Sequence, residues 1–264
     1  MLIAQISDFH VVARGKLAFG QIDTNDALAA VIARLNSLRP SPDLVVMTGD
    51  LVNDGLPEQY EMLRDLLRPL TLPWCTIPGN HDDRDGLRAL CADQPWMPAD
   101  GPFLHFAIDH LPVRIIGLDT QVPGAPQGEL CAERTRWLAD RLAEAPERPT
   151  VIAMHHPPFE TGIGFMDALR CFGTEGLADL VRRHPAIERI LCGHLHRPTT
   201  ARWHGTMAGS APGTGFQMAL DLNPGAGPAW TREPPAILLH IRQDNIGFVS
   251  HVLPVGDHPA HPIG

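Results

Sequence analysis

The chain of 264 residues is long enough for one large domain or two small ones, and its 44% hydrophobic residues can form a sizeable core, which argues against wholesale disorder. Its formal net charge of −9 argues against a general nucleic-acid binder, because such proteins usually carry a basic face. An acidic chain can still bind an anionic substrate if a metal ion supplies local positive charge.

The sequence carries no evident targeting or membrane signal. The apolar start, Met1–Ile6, is brief, lacks a basic leader and meets Asp8 almost at once, unlike a signal peptide. No run approaches the roughly 18 apolar residues of a membrane span. The five cysteines are scattered and odd in number, which fits reduced, mostly buried thiols. These features predict a cytoplasmic protein that does not bind membranes.

The first 80 residues alternate between strand and helix patterns. Short apolar runs predict buried strands, and apolar residues at helical spacing predict two helices, the first capped by Thr24 or Asn25 and the second opened by Pro57. In chain order the predicted elements are strand 2–6, helix 25–38, strand 43–48, helix 57–68 and strand 74–77. This alternation is typical of a largely parallel sheet.

The rest of the chain adds further strands and two helices. The predicted elements are strands 103–108 and 113–118 joined by a turn at 109–112, helix 131–143, strand 150–154, a helix near 175–184 and strand 188–192. The last third is predicted as strands near Trp203 and Met207 and at 237–241 and 248–253, with a hairpin turn at 244–247. Its Pro- and Gly-rich residues 223–235 are predicted to form a loop.

Polar clusters follow five of the predicted strands, at the point where each strand ends. They are Asp8-Phe9-His10, Gly49-Asp50, Gly79-Asn80-His81-Asp82, His155-His156 and Gly193-His194-Leu195-His196. In sheets with helical crossovers, sites gather beyond the carboxyl ends of the strands, so these distant segments can converge. An extended backbone turns residues i and i+2 to the same side, so each of the two pairs separated by one residue can aim two ligands at one spot.

The side chains in these clusters predict a metal site. Imidazole, carboxylate and amide oxygen without thiolate suit zinc, manganese or iron. Two metal ions about 3.5–4 Å apart could both generate hydroxide at neutral pH and clamp phosphoryl oxygens during in-line attack. Asp50 is the natural bridging ligand, because a carboxylate has two oxygens to share. Two carboxylates and a bridging hydroxide leave two dications with one net positive charge, which matches a singly charged phosphodiester.

Each cluster alone also has an ordinary structural interpretation. Gly49-Asp50 suits a turn, the run 80–83 suits the capped start of a helix, and a lone His155 suits a core or surface histidine. The presence of all five clusters, in this order and each after a strand, favours the metal site.

Together the clusters resemble the calcineurin-like metallophosphoesterases, whose pattern is Asp-x-His, Gly-Asp, Gly-Asn-His-Asp/Glu, His and Gly-His-x-His, and the match covers residues 8–196. The runs Gly49–Asn53, Gly79–Asp83 and His155–Pro158 look most like bacterial class III cyclic-nucleotide phosphodiesterases and their glycerophosphodiesterase relatives. The resemblance implies an α/β fold in four layers, an α-β-β-α sandwich of two mixed sheets flanked by helices.

By position, the resemblance implies two divalent metal ions of the Fe, Mn, Zn or Co class. One is held by Asp8, His10, Asp50 and His196, and the other by Asp50, Asn80, His155 and His194. His81 is not a ligand in that family and is suited to stabilise charge on the phosphate or to protonate the leaving alkoxide. Asp82 is expected to orient its loop or cap the following helix, and His156 either supports a ligand or packs, with packing favoured.

The resemblance also bears on the whole chain. It implies one metallophosphoesterase domain over residues 1–264, in which residues 197–264 complete the second sheet and contribute contacts in a homo-oligomer, a dimer or larger. The 223–235 loop then borders either a neighbouring subunit or the active site.

Three functions are compatible with these observations. The favoured one is a phosphodiesterase for small diesters, namely 3′,5′-cyclic nucleotides such as cAMP or glycerophosphodiesters, with no action on large nucleic acids. A phosphomonoesterase or nucleotidase needs more positive side chains near the phosphate, and no arginine lies within the clusters, although Arg84 and Arg197 lie immediately beyond two of them. A non-catalytic scaffold is disfavoured by the intact ligand set and by His81.

Overall fold

Two mixed β-sheets form the centre of the computed structural model, which describes residues 1–223, 225–259, 261 and 263. In this part of the chain the strands are β1 (Leu2–Ile6), β2 (Leu44–Met47), β3 (Trp74–Thr76), β4 (Phe106–Ile108), β5 (Arg114–Leu118), β6 (Gly128–Glu129), β7 (Thr150–Met154), β8 (Cys171–Phe172), β9 (Ile187–Cys192), β10 (Thr199–Trp203), β11 (Thr206–Ser210), β12 (Gln217–Met218), β13 (Trp230–Thr231), β14 (Ala236–Gln243) and β15 (Gly247–Pro254). The helices are α1 (Thr24–Ser37), α2 (Pro57–Leu67), α3 (Arg84–Leu90), α4 (Ala132–Glu144), α5 (Gly164–Asp167) and α6 (Glu175–Arg183).

The first sheet has the strand order β15-β14-β1-β2-β3. Its strands β1, β2 and β3 are parallel, as the alternation of strands and helices predicted. The hairpin of β14 and β15 adds antiparallel pairing on the other side of β1, with Leu2 opposite Ile241. The predicted turn of this hairpin is confirmed, because Gln243 pairs with Gly247 across it.

The second sheet has the strand order β10-β11-β9-β7-β5-β4. Its central strands β5, β7, β9 and β11 are parallel, while β4 and β10 are antiparallel edge strands. The expectation that residues 197–264 complete this sheet is wrong for the last two strands. Of the described residues after 196, only those of β10 and β11 join it, whereas β14 pairs with β1 and, with β15, extends the first sheet.

Three apolar layers hold the fold together. One lies between the two sheets and includes Ile3 and Val46 of the first sheet and Ile115 and Leu191 of the second. The outer face of the first sheet packs against helices α1 and α2, and the outer face of the second packs against α4 and α6. The strands are apolar on both faces because both are covered, which confirms the four-layer α-β-β-α sandwich.

Some local predictions differ from the structure. The cap of α1 is Asp23, whose carboxylate accepts a hydrogen bond from Asp26 N, whereas Asn25 holds the backbone of Val12. The predicted loop 223–235 contains β13, which pairs with β12 to form a small ribbon, and its Pro224 lies outside the described residues. The ribbon of β6 and β8 and the short helix α5 were not predicted.

Two predictions from composition can be compared with the structure. All five cysteines are free, and four of them are buried. Among the described residues, the helices are too short or too polar to cross a membrane.

Candidate metal centre

The predicted ligands occupy loops that directly follow β1, β2, β3, β7 and β9, and an unusual backbone conformation places most of them. Left-handed φ angles between 47° and 69° occur at five of the seven residues, namely Asp8, His10, Asp50, His194 and His196. The expectation of an extended backbone within the two pairs is therefore wrong. In non-glycine residues such angles raise the conformational free energy by about 1–3 kcal/mol, and they persist where the surrounding structure enforces a functional geometry.

One group of donors is formed by Asp8, His10, Asp50 and His196, which are all buried. One ligand atom from each lies within 4.8 Å of the others. His196 Nε2 lies 3.1 Å from His10 Nε2 and 3.4 Å from Asp8 Oδ1. These are the four residues predicted for the first ion.

A second group contains Asn80, His155 and His194. Asn80 Oδ1 lies 3.2 Å from His155 Nε2 and 3.1 Å from His194 Nδ1. Asp50 joins both groups, because its Oδ2 lies 3.3 Å from His155 Nε2 and 3.7 Å from His10 Nε2. The Asp50 carboxylate therefore lies beside both groups and could serve as a ligand for each.

The arrangement fits metal ions. His10 Nε2 and His196 Nε2 lie only 3.1 Å apart, so both nitrogens could bind the same cation. Among the described residues, the buried Nε2 of His194 has no hydrogen-bond partner. His155 Nδ1 and His196 Nδ1 lie 2.6 and 3.1 Å from the carbonyl oxygens of Thr48 and Phe216, so donation there fixes the rings and leaves each Nε2 free to bind a metal.

Burial and neighbouring charges set the protonation of these groups. Burial lowers the pKa of His10 well below its ordinary value and, together with His155, lowers the pKa of His194 to about 3, so both rings are neutral and ready to bind a cation. At His155 burial opposes protonation, but Asp50 outweighs it and raises the pKa to about 9. A metal ion binding His155 near neutral pH must therefore displace a proton.

Two motif glycines permit close approach of the loops. A Cβ on Gly79 would overlap the carboxylate of Asp50, and a Cβ on Gly49 would lie 2.6 Å from His155 Nδ1. Gly49 also has a φ of +91°, which favours glycine. The glycines are therefore needed because any side chain would push Asp50 or His155 out of place.

His81 lies at the exposed rim of the site. Its ring stands edge-on to His10 with centroids 4.6 Å apart, and its Nδ1 lies 2.6 Å from Asn53 O. Burial of the ring lowers the pKa of His81, but Asp50 outweighs it and raises that pKa above its ordinary value. With Nδ1 bonded to the backbone, Nε2 is the nitrogen left for a substrate.

Two roles were considered for Asp82, orienting its loop and capping the following helix. In the structure Asp82 has the first role and Asp83 has the second. The buried Asp82 carboxylate accepts hydrogen bonds from Leu51 N, Val52 N and Gly79 N at 3.0, 3.2 and 2.8 Å, so it orients the loops. The cap of α3 is Asp83, which accepts from Gly86 N at 2.8 Å. The helix-capping alternative for Asp82 is therefore wrong.

His156 joins the second group only by proximity. One of its nitrogens lies within 4.8 Å of the ligand atoms of His155 and His194. Its Nδ1 is 2.8 Å from Thr120 Oγ1 and its Nε2 is 3.2 Å from Pro126 O, so both nitrogens already have partners. This environment agrees with the favoured packing role.

Neither arginine beyond the clusters is free to bind a phosphate. Arg84 makes a bidentate pair with Asp119, with Nε and Nη2 at 2.7 and 3.0 Å from the carboxylate oxygens. Arg197 Nη1 lies 2.7 Å from Met218 O and 3.0 Å from Glu233 Oε1. The extra positive charge that a monoester site needs is therefore engaged elsewhere.

An aromatic row beside the metal centre was not predicted from the sequence. The ring of Phe216 lies 5.3 Å from that of His10 and 4.4 Å from that of His196, between centroids. Phe19 and Trp230 follow outward at 5.3 and 6.4 Å from Phe216. The sequence offered no motif for these residues.

Four layers with a cluster of histidine, aspartate and asparagine at the strand ends define the class of metal-dependent phosphoesterases. The sequence model of the Calcineurin-like phosphoesterase family matches residues 1–198. The chain belongs to this family, and its family and clusters suggest a site for two divalent metal ions.

Individual relatives agree with this membership. The chain is 36% identical to a glycerophosphodiester phosphodiesterase of Enterobacter lignolyticus, over 95% of this chain and 90% of that protein. It is 32% identical to a cAMP/cGMP dual specificity phosphodiesterase of Mycobacterium tuberculosis, over 97% and 80%. A dimetal phosphatase from Danio rerio has a similar fold, with a TM-score of 0.66 at 12% identity over 97% of this chain and 99% of that one.

Proposed function

We propose that the chain is a binuclear metal-dependent phosphodiesterase that hydrolyses small phosphodiesters, either 3′,5′-cyclic nucleotides such as cAMP or glycerophosphodiesters. The observation that carries this proposal is the pair of buried donor groups joined by Asp50. The two relatives named above, a glycerophosphodiester phosphodiesterase and a cyclic-nucleotide phosphodiesterase, support the substrate class.

The ligand assignment follows the two groups. Asp8, His10, Asp50 and His196 would hold one ion, and Asp50, Asn80, His155 and His194 the other, with iron, manganese, zinc or cobalt suited to these donors. When bound, the ions supply Lewis acidity and activated water.

His81 supplies the proton that the leaving alkoxide needs. Its raised pKa keeps the ring protonated nearer neutral pH, and the Nδ1 contact with Asn53 O directs the second N–H, at Nε2, toward the substrate. Asp50 Oδ1 accepts from His81 N at 2.9 Å, so the carboxylate that would hold the ions also positions the backbone of His81.

The charges around the site favour a diester over a monoester. A monoester carries about one more negative charge than a diester and calls for additional cationic donors. Arg84 and Arg197 are committed to Asp119 and Glu233. Two dications with two carboxylates match a singly charged substrate better.

We extend the proposal to the whole chain. Residues 1–264 form one domain, which the apolar layer shared by both sheets supports. The chain is cytoplasmic and assembles as a homo-oligomer, a dimer or larger, and the eight-residue edge strand β15 is a surface suited to self-pairing. A mass in solution equal to that of one chain would contradict this assembly.

Kinetics on matched substrates test the activity. After chelation, the chain should lose hydrolysis of bis(p-nitrophenyl) phosphate, and Mn²⁺, Co²⁺ or Fe²⁺ should restore it. His81→Ala should lower turnover about 10²–10⁴-fold with metal content unchanged, whereas exposed His110→Ala should have no effect. Undiminished turnover without metal, or kcat/KM tenfold higher for p-nitrophenyl phosphate than for the diester, would refute the proposal.

A further inference from the structure

A row of rings leads outward from the candidate metal centre. His10 lies between His81 on one side and Phe216 on the other, at 4.6 and 5.3 Å between centroids. Beyond Phe216 stand Phe19 and Trp230, whose ring planes differ by only 16°. The inner end of the row therefore lies at His81 and His10, in the candidate metal centre. Its outer end is an aromatic surface formed by Phe19 and Trp230.

The outer end of this row is presented to solvent. Phe19 is 58% exposed although it is a large apolar side chain, and its φ of +51° is unfavourable for an aromatic residue. Trp230 is half-buried, and the guanidinium of Arg232 stands 5.9 Å from the centroid of its ring. An exposed ring held at a strained backbone position is not explained by core packing.

The segments that carry the rings are tied to the metal centre. Phe216 is fixed because its carbonyl oxygen accepts from His196 Nδ1. Arg197, the residue after His196, bonds Met218 O on β12 and Glu233 beyond β13, and this clamp holds Trp230 beside Phe216. On the other side, Thr24 Oγ1 donates to His10 O at 2.7 Å, close to the turn that carries Phe19. The rings thus have defined positions relative to the donors.

We propose that Phe19 and Trp230, backed by the buried ring of Phe216, form a subsite for the planar aromatic base of a nucleotide diester. The inference rests on the proposed function and selects cyclic nucleotides over glycerophosphodiesters as the preferred substrates. A base gains from stacking on aromatic faces whatever its identity, whereas a glycerol group has no π face to stack. The buried ring of Phe216 contacts His10 and His196 on one side and Phe19 and Trp230 on the other, so the subsite adjoins the donor groups.

Paired substrates test the subsite. Phe19→Ala combined with Trp230→Ala should lower kcat/KM for 3′,5′-cyclic AMP about tenfold or more, and leave kcat/KM for a glycerophosphodiester within about threefold. Trp230→Phe keeps a ring and should retain the preference. Phe172→Ala is the matched control, because Phe172 is also exposed and pairs with Arg170 but lies outside the row.

Equilibrium binding gives a second readout that does not depend on turnover. Adenosine 5′-monophosphate should quench the tryptophan fluorescence of the wild type but not of Trp230→Phe, and glycerol 3-phosphate should quench neither. Equal losses for both substrates in the double variant, or a lowered oligomer mass showing that these rings are a subunit contact, would overturn the subsite while leaving phosphodiesterase activity in place. Absence of hydrolysis of every diester by the metal-loaded wild type would overturn the proposed function itself.

Discussion

Asp82→Ala removes a carboxylate that joins two loops of the candidate metal centre. The Asp82 side chain accepts from Leu51 N and Val52 N, just after Asp50, and from Gly79 N, just before Asn80. Alanine leaves three buried N–H groups without this acceptor. At about 1 kcal/mol per donor, the low end of the desolvation cost, the variant should lose about 3 kcal/mol of unfolding free energy.

Asp82→Asn separates the hydrogen bonds from the charge. Burial, reinforced by Asp50, raises the pKa of Asp82 to about 7, so the neutral amide resembles a form that the folded protein already accommodates. We therefore expect a smaller loss for asparagine than for alanine. Because the loops also position metal donors, the alanine variant should retain less metal after dialysis.

Urea unfolding and metal analysis by mass spectrometry measure both effects. Asp83→Ala is the control: it removes the cap of α3, should cost about 1 kcal/mol and should leave the metal content unchanged. A loss below 1 kcal/mol in Asp82→Ala, with full metal content, would refute the role given to this carboxylate.

Three further predictions concern other positions. Gly79→Ala should sharply reduce metal content, measured per chain, because its Cβ would overlap Asp50, whereas Gly164→Ala, which meets open space, should not. Phe19→Gly should be about 1 kcal/mol more stable to urea than Phe19→Ala, since only glycine accepts the φ of +51° without strain, and equal stabilities would contradict this. Burial and Arg189 lower the pKa of His240 from 6.5 to about 3, so the stability that this neutral ring contributes is present above pH 6.5 and is lost as the pH falls from 6.5 toward 3. Between pH 6.5 and 5.5 the wild type should lose about 1 kcal/mol more than His240→Leu, and parallel pH profiles would refute the assignment.

The sequence predicted the elements with strong apolar patterns. The strand Thr150–Met154 and helix α2 were found because a continuous apolar run and a helical period leave little ambiguity. The sequence did not predict that β14 belongs to the first sheet, because the apolar pattern of a strand does not indicate which strand it pairs with. The ribbon of β12 and β13 was missed because two-residue strands in a Pro- and Gly-rich segment leave no periodic signal.

The candidate site was predictable in residue types but not in geometry. The five clusters pointed to one place because each follows a strand, and the structure brings their side chains together. The left-handed backbone at Asp8 and His10 left only a faint signal, namely that aspartate and histidine tolerate that conformation better than most residues. The proximity of Phe19, Phe216 and Trp230 depends on tertiary structure and is invisible to local patterns.

The pairing of β1 with β14 has a consequence for how the chain folds during synthesis. During synthesis all seven candidate donors have been added to the chain once His196 has been. At that stage β1 has a neighbouring strand on one side only, because its other partner, β14, is synthesised later and pairs Ile241 with Leu2. Until then its open edge offers unpaired N–H and C=O groups to any other strand. A fragment ending at residue 198, where the family match ends, would carry every motif and remain an aggregation-prone intermediate.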